Sequence, residues 1–233
     1  MLQVSVIVLL LANGEEPAVP EAGNEGDDTL VVRGAVPAPA PGSERTAFLR
    51  EAERQLGGVK QSSYSHVTRV DEVAGVYDYD CSGFIVYTLS RSVPAVLEAV
   101  PAPPGKRPLA RDFLKAFSTA SKRWTPVSAD TLLPGDLIAW LKPDDVESKN
   151  TGHVVVVRGA PSERNPGEWV VPVIDAASTW HGKRDSRAEK RASGLGTGEI
   201  VILVRDGTPV GYRWSTWEKS KPHHTKVVMV RLR

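Results

Sequence analysis

The second half of the chain is a series of short β-branched runs, and this pattern constrains the fold more than any other feature. Six apolar runs follow Pro134, separated by Gly, Pro, Asn and Asp: DLIAW, HVVVVRG, EWVVPVIDAAS, GEIVILVRDG, PVGYRWS and KVVMVRLR. Runs of this kind predict the strands of a sheet. Helical periodicity comes before them, so the sequence predicts an α+β fold in which N-terminal helices pack on a mostly antiparallel sheet of five to six strands.

Three segments before Pro134 have the apolar spacing of helices. The first begins after Ser43, a suitable N-cap, and ends at a glycine pair. The second follows Cys81 and is interrupted by Pro94. The third is LARDFLKAFSTA, in which one leucine-phenylalanine face is predicted to point inward.

The first 42 residues have a different character from the rest of the 233-residue chain. Residues 1–12 contain the run VSVIVLLLA, which is too short to span a membrane and has the length of a secretory signal core, although no basic residue precedes it. We interpret it as a truncated signal segment of an exported protein; the alternative is a first β-strand of a cytoplasmic domain. Residues 13–42 are acidic and rich in Pro and Ala, which predicts a linker with a brief strand at Leu30 to Val32. Residues 43–233 then form a single domain.

Charge and cysteine content exclude several classes of protein. The net charge is +1, but residues 1–42 hold six acidic residues and one arginine, so the remaining chain is net basic. Its basic residues are scattered and no nucleic-acid motif is present, so we expect a solvated basic surface rather than a site for an anionic polymer. A single cysteine cannot form an internal disulfide. The chain lacks CxxC, HExxH and any His/Cys cluster at ligand spacing, which predicts no metal site.

The only cysteine, Cys81, is either a small buried hydrophobic residue or a nucleophile at the start of a helix. Asp80 is a natural N-cap, Ser82 and Gly83 follow, and the apolar helical face begins at Phe84. A helix N-terminus and a neighbouring imidazolium both lower the pKa of a thiol, and amides at a helix start can hold an oxyanion. Glycine after the cysteine would let another chain or a substrate approach closely.

A base for such a thiol is offered by His153, which opens the apolar run of TGHVVVV. Asp175 ends the next apolar strand, and the connecting APSERNPG resembles a hairpin loop. An antiparallel pair of these strands would bring Asp175 beside His153, where a carboxylate can orient the imidazole. The alternatives are a structural histidine and a turn-capping acid. The other four histidines lie in loop-like segments or a polar turn: His66, His181, His223 and His224.

Four motifs in this order resemble those of the NlpC-type family of bacterial cell-wall cysteine peptidases, which has a compact papain-like fold. They are DCSGF, LLPGDLIAW, TGHVVVV and VIDAAS, and the resemblance covers about residues 43–205. It implies Cys81 as the nucleophile, His153 as general base and acid, and Asp175 as the third, orienting residue. It further implies a secreted thiol protease that needs no cofactor and cleaves peptidoglycan stem peptides, at a bond between D-glutamate and a diamino acid.

Two regions depart from that family. The family's Tyr-x-Trp-Gly-Gly stretch before the cysteine is missing; Tyr64 is the nearest match for its oxyanion tyrosine, with Tyr77 and Tyr79 as competitors. Segment 101–124 is also more elaborate than a minimal family member needs.

A polar segment, residues 179–198, follows the predicted third residue. Its charged groups either bind a substrate carboxylate or form a solvated loop; they are His181, Arg184, Asp185 and Arg187. Ser82 and Gly83 are the other candidates for contact with substrate or oxyanion.

Two further functions fit the same residues. The first is an amidase or acyltransferase that uses the same triad on an amide or thioester outside peptidoglycan, because a fold does not fix a substrate. The second is a binding module with a degenerate site, which the missing Trp-Gly-Gly favours and the intact Cys, His and Asp set disfavours.

Overall fold

The computed structural model describes residues 31–33, 43–144, 146–147 and 150–233. The proposed signal segment and most of the proposed linker lie outside these residues. The described helices are α1 (Glu44–Gly58), α2 (Cys81–Ser92), α3 (Pro94–Glu98) and α4 (Ala110–Phe117), with a short 3-10 helix at Ala129–Thr131. The strands are β1 (Val31–Arg33), β2 (Arg69–Asp71), β3 (Val76–Asp78), β4 (Trp124–Pro126), β5 (Leu137–Leu141), β6 (Gly152–Val157), β7 (Ser162–Asn165), β8 (Glu168–Ala177), β9 (Gly194–Arg205), β10 (Thr208–Arg213), β11 (Pro222–His224) and β12 (Val227–Leu232).

The main sheet has nine strands in the order β11-β10-β9-β8-β6-β5-β12-β4, with β7 paired to β8 off this path. Its neighbouring strands are antiparallel throughout. An α+β fold with a mostly antiparallel sheet is therefore confirmed, but the predicted count of five to six strands is wrong. The three additional strands are β4, β7 and β11, with the sequences WTP, SERN and PHH. They are too short and too polar to show the alternation by which a strand is predicted.

A separate three-stranded sheet leads into α2, the helix that begins at Cys81. Strand β1 pairs parallel with β2, and β2 pairs antiparallel with β3. The short strand predicted at Leu30 to Val32 corresponds to β1. Two residues after β3 the chain enters α2, so this small sheet sets the direction from which the chain reaches Cys81.

The helix starts follow the local rules for capping. Ser43 caps α1, and its hydroxyl accepts a hydrogen bond from the amide of Thr46 at 3.3 Å. Asp80 caps α2 in the same way. Pro94 ends the run of α2 and opens α3, where its missing N–H costs no hydrogen bond.

The two faces of the main sheet bury two hydrophobic cores. Val154 and Val156 of β6 belong to the first core, which the large side chains of α1, α2 and α4 complete. Val155 and Val157 alternate with them and belong to the second core, together with aromatic residues of β5 and β10. A side chain that is fully buried in this way contributes about 1.5–3 kcal/mol to folding. Because β6 is buried on both faces, its position in the molecule is strongly fixed.

Buried hydrogen bonds fix α2 against α1. The side-chain amide of Gln55 donates to the hydroxyl of Thr88 at 3.0 Å, and the hydroxyl of Tyr79 donates to the Gln55 carbonyl at 2.9 Å. All three side chains are buried. Bonds of this kind are costly to leave unmade, so the helix that begins at Cys81 is held in one orientation.

Candidate active site

Cys81 is the first residue of α2 and is only 3% exposed. The carboxylate of Asp80 accepts hydrogen bonds from the amide of Gly83 at 2.6 Å and from the hydroxyl of Ser82 at 2.9 Å. The thiol therefore sits in the first turn of a well-capped helix, where the helix dipole favours a negative charge.

The other oxygen of the Asp80 carboxylate binds two basic side chains. His66 lies 3.1 Å away through Nδ1, and Arg107 donates to it through Nη2 at 2.8 Å. Burial raises the pKa of Asp80, but the hydrogen bond with His66 and the charge of Arg107 lower it more, to about 2. Arg107 also donates to the hydroxyl of Ser82 at 2.6 Å. One role of segment 101–124, from which Arg107 comes, is thus to hold the start of α2.

Gly83 was expected to make room for another chain or a substrate. In the structure that space is occupied by side chains of the protein itself, those of Thr68 and Tyr79. A Cβ atom at this position would lie 2.8 Å from the hydroxyl oxygen of Thr68 and 3.0 Å from the Cβ of Tyr79. The amide of Gly83 and the side chain of Ser82 are both bound within the cap. Close packing explains why residue 83 is a glycine, and hydrogen bonding to the Asp80 cap explains why residue 82 is a serine.

His153 is the second residue of β6, and its ring lies between two tryptophans. The ring centroids of Trp140 and Trp214 are each 5.1 Å from that of His153, and Nε2 of the ring is 2.7 Å from Oδ2 of Asp175. Burial lowers the pKa of His153, but the negative charge of a Cys81 thiolate and the hydrogen bonds with Asp175 and Cys81 raise it more, to about 9. Because Nε2 faces Asp175, Nδ1 is the nitrogen left for Cys81.

Asp175 reaches His153 across two paired strands. Strands β6 and β8 are antiparallel, with Val156 opposite Ile174, as the sequence predicted. The connection was expected to be a plain hairpin loop, but it contains β7, which pairs back onto β8. Asp175 is completely buried. Burial raises its pKa, yet the positive charges nearby and the hydrogen bonds from both histidines hold that pKa well below its usual value.

The loop of residues 178–193, between β8 and β9, contacts the Asp175 carboxylate through His181 and Arg187. Arg187 donates through Nη2 to Oδ1 of Asp175 at 2.9 Å and to Asp185 at 2.7 Å. His181 lies 2.9 Å from Oδ2 of Asp175 through Nε2. His181 and Arg187, which were candidates for substrate binding, are only 1% and 4% exposed. From this position the two side chains influence Cys81 and His153 through their bonds to the Asp175 carboxylate. Only Arg184 of the four charged groups is exposed to solvent.

Alternating glycines in β9 make room for this loop, and their spacing is a sign in the sequence that other groups lie against β9, although it does not show which groups. Gly196 pairs across the sheet with Asp175, and a Cβ atom there would lie 2.6 Å from Nε of Arg187. A Cβ atom at Gly198 would lie 2.7 Å from Cδ2 of His181. The run GLGTG thus marks one face of a strand from which side chains must be absent.

Tyr64 is the one of the three candidate tyrosines whose pKa is affected by the charge of Cys81. Burial raises its pKa above the usual value, and the negative charges of Cys81 and Asp80 add to this effect. Tyr77 and Tyr79 are instead part of the first hydrophobic core. The amide of Tyr64 donates to the hydroxyl of Ser193 at 3.1 Å, which ties it to the end of the 178–193 loop.

His153, Asp175 and His181 also have the spacing of a metal site within the described residues, since their ligand atoms lie within 4.8 Å of one another. Two of these contacts are already hydrogen bonds to a single carboxylate oxygen, and Arg187 occupies the other oxygen. We therefore assign the three side chains to a hydrogen-bonded cluster rather than to a metal centre.

The described part of the chain contains no helix with the length and apolar composition needed to cross a membrane.

Fold and site together define an α+β protein that carries a Cys–His–Asp cluster at a helix N-terminus. No family model and no solved structure matches the chain. An uncharacterized protein of Acanthamoeba polyphaga mimivirus is 32% identical over 160 residues, which cover 61% of this chain and 70% of the viral protein. The chain belongs to the same family as this viral protein.

Proposed function

We propose that the protein is a cysteine hydrolase with a papain-like, NlpC-type fold that cleaves amide bonds, with peptidoglycan stem peptides as its substrate. The observation that carries the proposal is the line of three groups: Cys81 in the first turn of α2, His153 within reach of the thiol, and Asp175 bound to the far nitrogen of that imidazole. Such a substrate lies outside the cytoplasm, so the proposal includes export to the periplasm or the extracellular space.

The chemistry follows from the charges of these groups. The Cys81 thiolate forms a bond to the substrate carbonyl carbon, and amides at the start of α2 stabilise the oxyanion, with Tyr64 beside them. The C–N bond then breaks as His153 gives its proton to the departing amine. His153 next takes a proton from water, whose oxygen attacks the thioester and releases the acid and the thiolate. Asp175 keeps the imidazole oriented and stabilises its positive charge through both steps.

A second candidate is an amidase or acyltransferase that uses the same triad on a different amide or thioester. The observation that favours it is Arg107, which segment 101–124 places against Ser82 and Asp80, next to the nucleophile. A cation so close to the scissile bond suits a substrate with a negative group near that bond.

Two measurements test the function together. The rate of iodoacetamide labelling of Cys81 is measured over a range of pH, with the free tripeptide glutathione as the reference thiol. Purified muropeptides are then digested with the protein and with Cys81→Ala, and products are identified by mass spectrometry. We expect cleavage by the intact protein only, and a Cys81→Ala variant with an unchanged melting temperature, because alanine fits the volume and the helix.

Labelling without cleavage of muropeptides would move the function to the second candidate. Labelling no faster than glutathione at neutral pH, together with no cleavage, would favour a binding module. Residual cleavage above a few per cent of wild type in a folded Cys81→Ala variant would remove Cys81 from the nucleophile's role.

A further inference from the structure

We propose that His181 is a permanently protonated positioning residue, which acts on His153 through the carboxylate that both histidines share. The inference deepens the proposed function and rests on it for its catalytic consequence. The protonation state itself is a property of the fold and is measurable whether or not the protein is an enzyme.

The hydrogen bonds of the His181 ring require two protons. Its Nδ1 lies 2.8 Å from the backbone carbonyl oxygen of Trp214, and its Nε2 lies 2.9 Å from Oδ2 of Asp175. A carbonyl oxygen only accepts, and so does an ionised carboxylate. A neutral imidazole has a single N–H, so one of the two contacts would bring a lone pair against an acceptor. An imidazolium satisfies both.

The extra proton belongs to His181 rather than to Asp175. Arg187 donates to Oδ1 of Asp175, and Nε2 of His153 makes its contact at Oδ2, so both carboxylate oxygens already face donors. These bonds stabilise the ionised carboxylate, and together with the neighbouring positive charges they outweigh the opposing effect of burial.

The charged groups that face His181 agree with the assignment. The charged and titratable groups around its ring are Asp175 of β8, Asp185 and Arg187 of the 178–193 loop, and His153 of β6. Two of them are carboxylates in hydrogen-bond contact with His181: Asp175 meets the ring at 2.9 Å, and Asp185 accepts from the backbone amide at 2.7 Å. Buried negative charges at these distances favour a positive charge on the ring.

His181 therefore limits the effect of Asp175 on the catalytic histidine. Asp175 raises the pKa of His153, and a fixed positive charge on the far side of the same carboxylate opposes this. The centroids of the two histidine rings are 6.5 Å apart, so the charge also acts directly on His153. The side chain of His181 is fully buried and cannot touch a substrate. His181 acts on His153 through the shared Asp175 carboxylate and through the electric field of its own charge, as expected of a positioning residue.

The first experiment reads the protonation state in the intact protein. Long-range proton–nitrogen correlation spectra of the histidine-labelled protein distinguish an imidazolium, with two protonated nitrogens, from either neutral tautomer. We expect both nitrogens of His181 to carry protons at pH 8, where an ordinary histidine is neutral. One unprotonated nitrogen at that pH would overturn the proposal. A His181 spectrum that changes on adding a chelator would also overturn it, because a cation would then hold the position of the proton.

The second experiment measures the consequence, with His153 as the reporter. In His181→Gln, which keeps a hydrogen-bond donor but loses the charge, the pKa of His153 should rise by about one unit. His224→Gln, at an exposed histidine, is the matched control and should leave it unchanged. If the pKa of His153 in folded His181→Gln stays the same or falls, the charge has no such role. Failure of thiol labelling and of hydrolysis would count against the proposed function and leave these spectra interpretable.

Discussion

Asp175 is a single carboxylate shared by three basic side chains, and it is one of two groups that raise the pKa of His153; the other is the Cys81 thiolate, whose charge has the larger effect. His153 and His181 meet one of its oxygens, and Arg187 donates to the other. The pKa of His153 is about 9, so this imidazole keeps its proton below that pH and loses it above. In the proposed reaction His153 is the acid that protonates the leaving amine, so turnover should persist up to about pH 9 and fail beyond it.

Replacing Asp175 with asparagine should therefore move the alkaline limit of activity to lower pH. The amide has no charge to stabilise the imidazolium, so the pKa of His153 falls from about 9 toward its ordinary value. We expect the alkaline limb of the pH–rate profile to shift down and turnover at neutral pH to fall about 100-fold or more. Apparent substrate affinity should change little, because Asp175 is completely buried.

Asp185→Asn is the matched control for this variant. It also removes a buried partner of Arg187 but leaves the pairing of Asp175 with His153 in place. Both variants should lose stability, by about 3–5 kcal/mol where a buried charge is left without its partner, so melting temperatures must be measured first. An alkaline limb that stays near pH 9 in folded Asp175→Asn would show that Asp175 does not orient His153.

At the scale of elements, the start of α2 could be predicted from the sequence residue by residue, whereas the 178–193 loop could not. Capping by Asp80 is a local effect, governed by residues three apart, and so is the placement of Cys81 in the first turn. The burial of His181 and Arg187 depends on glycines in β9 that lie more than five residues farther along the chain. Their charge predicted either a substrate site or a solvated loop, and the space that receives them appears only once the strands pair.

The packing of α2 gives a test of this element that does not depend on activity. Gly83→Ala should destabilise the protein by about 1–3 kcal/mol, because the new methyl group would overlap the hydroxyl of Thr68 and approach Tyr79. This loss should exceed the gain of about 1 kcal/mol that alanine brings to a helix. Chemical denaturation with a fluorescence readout measures the free energy of unfolding directly.

Gly57→Ala provides the comparison within another helix. A Cβ atom at Gly57, in the last turn of α1, meets nothing within 4 Å, so this substitution should be neutral or stabilise by up to about 1 kcal/mol. Equal effects of the two substitutions would mean that the contact with Thr68 does not limit the position of α2.

At the scale of the whole molecule, the members of both hydrophobic cores that the structure describes all come after position 43. The earliest member among the fully buried residues is Phe48 of α1, and the latest is Leu232 of β12. A variant that consists of residues 43–233 should therefore fold and keep its activity on a soluble substrate. Of the elements that the structure describes, this variant lacks β1 alone, and β2 keeps its pairing with β3, so we expect the melting temperature to fall by no more than about 5 °C.

Circular dichroism and thermal melting of the shortened protein, beside the full chain, make this comparison. A variant of residues 43–233 that does not fold would show that the acidic segment contributes to the sheet or the core. Normal folding with lost activity on a soluble substrate would instead place part of the substrate site within residues 1–42.

Strand β12 lies inside the main sheet, between β5 and β4, although it is the last strand in the chain. Roughly 85 residues separate the end of β5 from the start of β12. Ribosomes add about 5–20 residues per second, so some 4–17 s pass between the synthesis of β5 and that of β12. During this time the apolar edge of β5 that will pair with β12 remains unpaired. During that interval Trp140 and its neighbours are exposed to other nascent chains, so the yield of native protein in a cell should depend on chaperones that bind extended apolar segments.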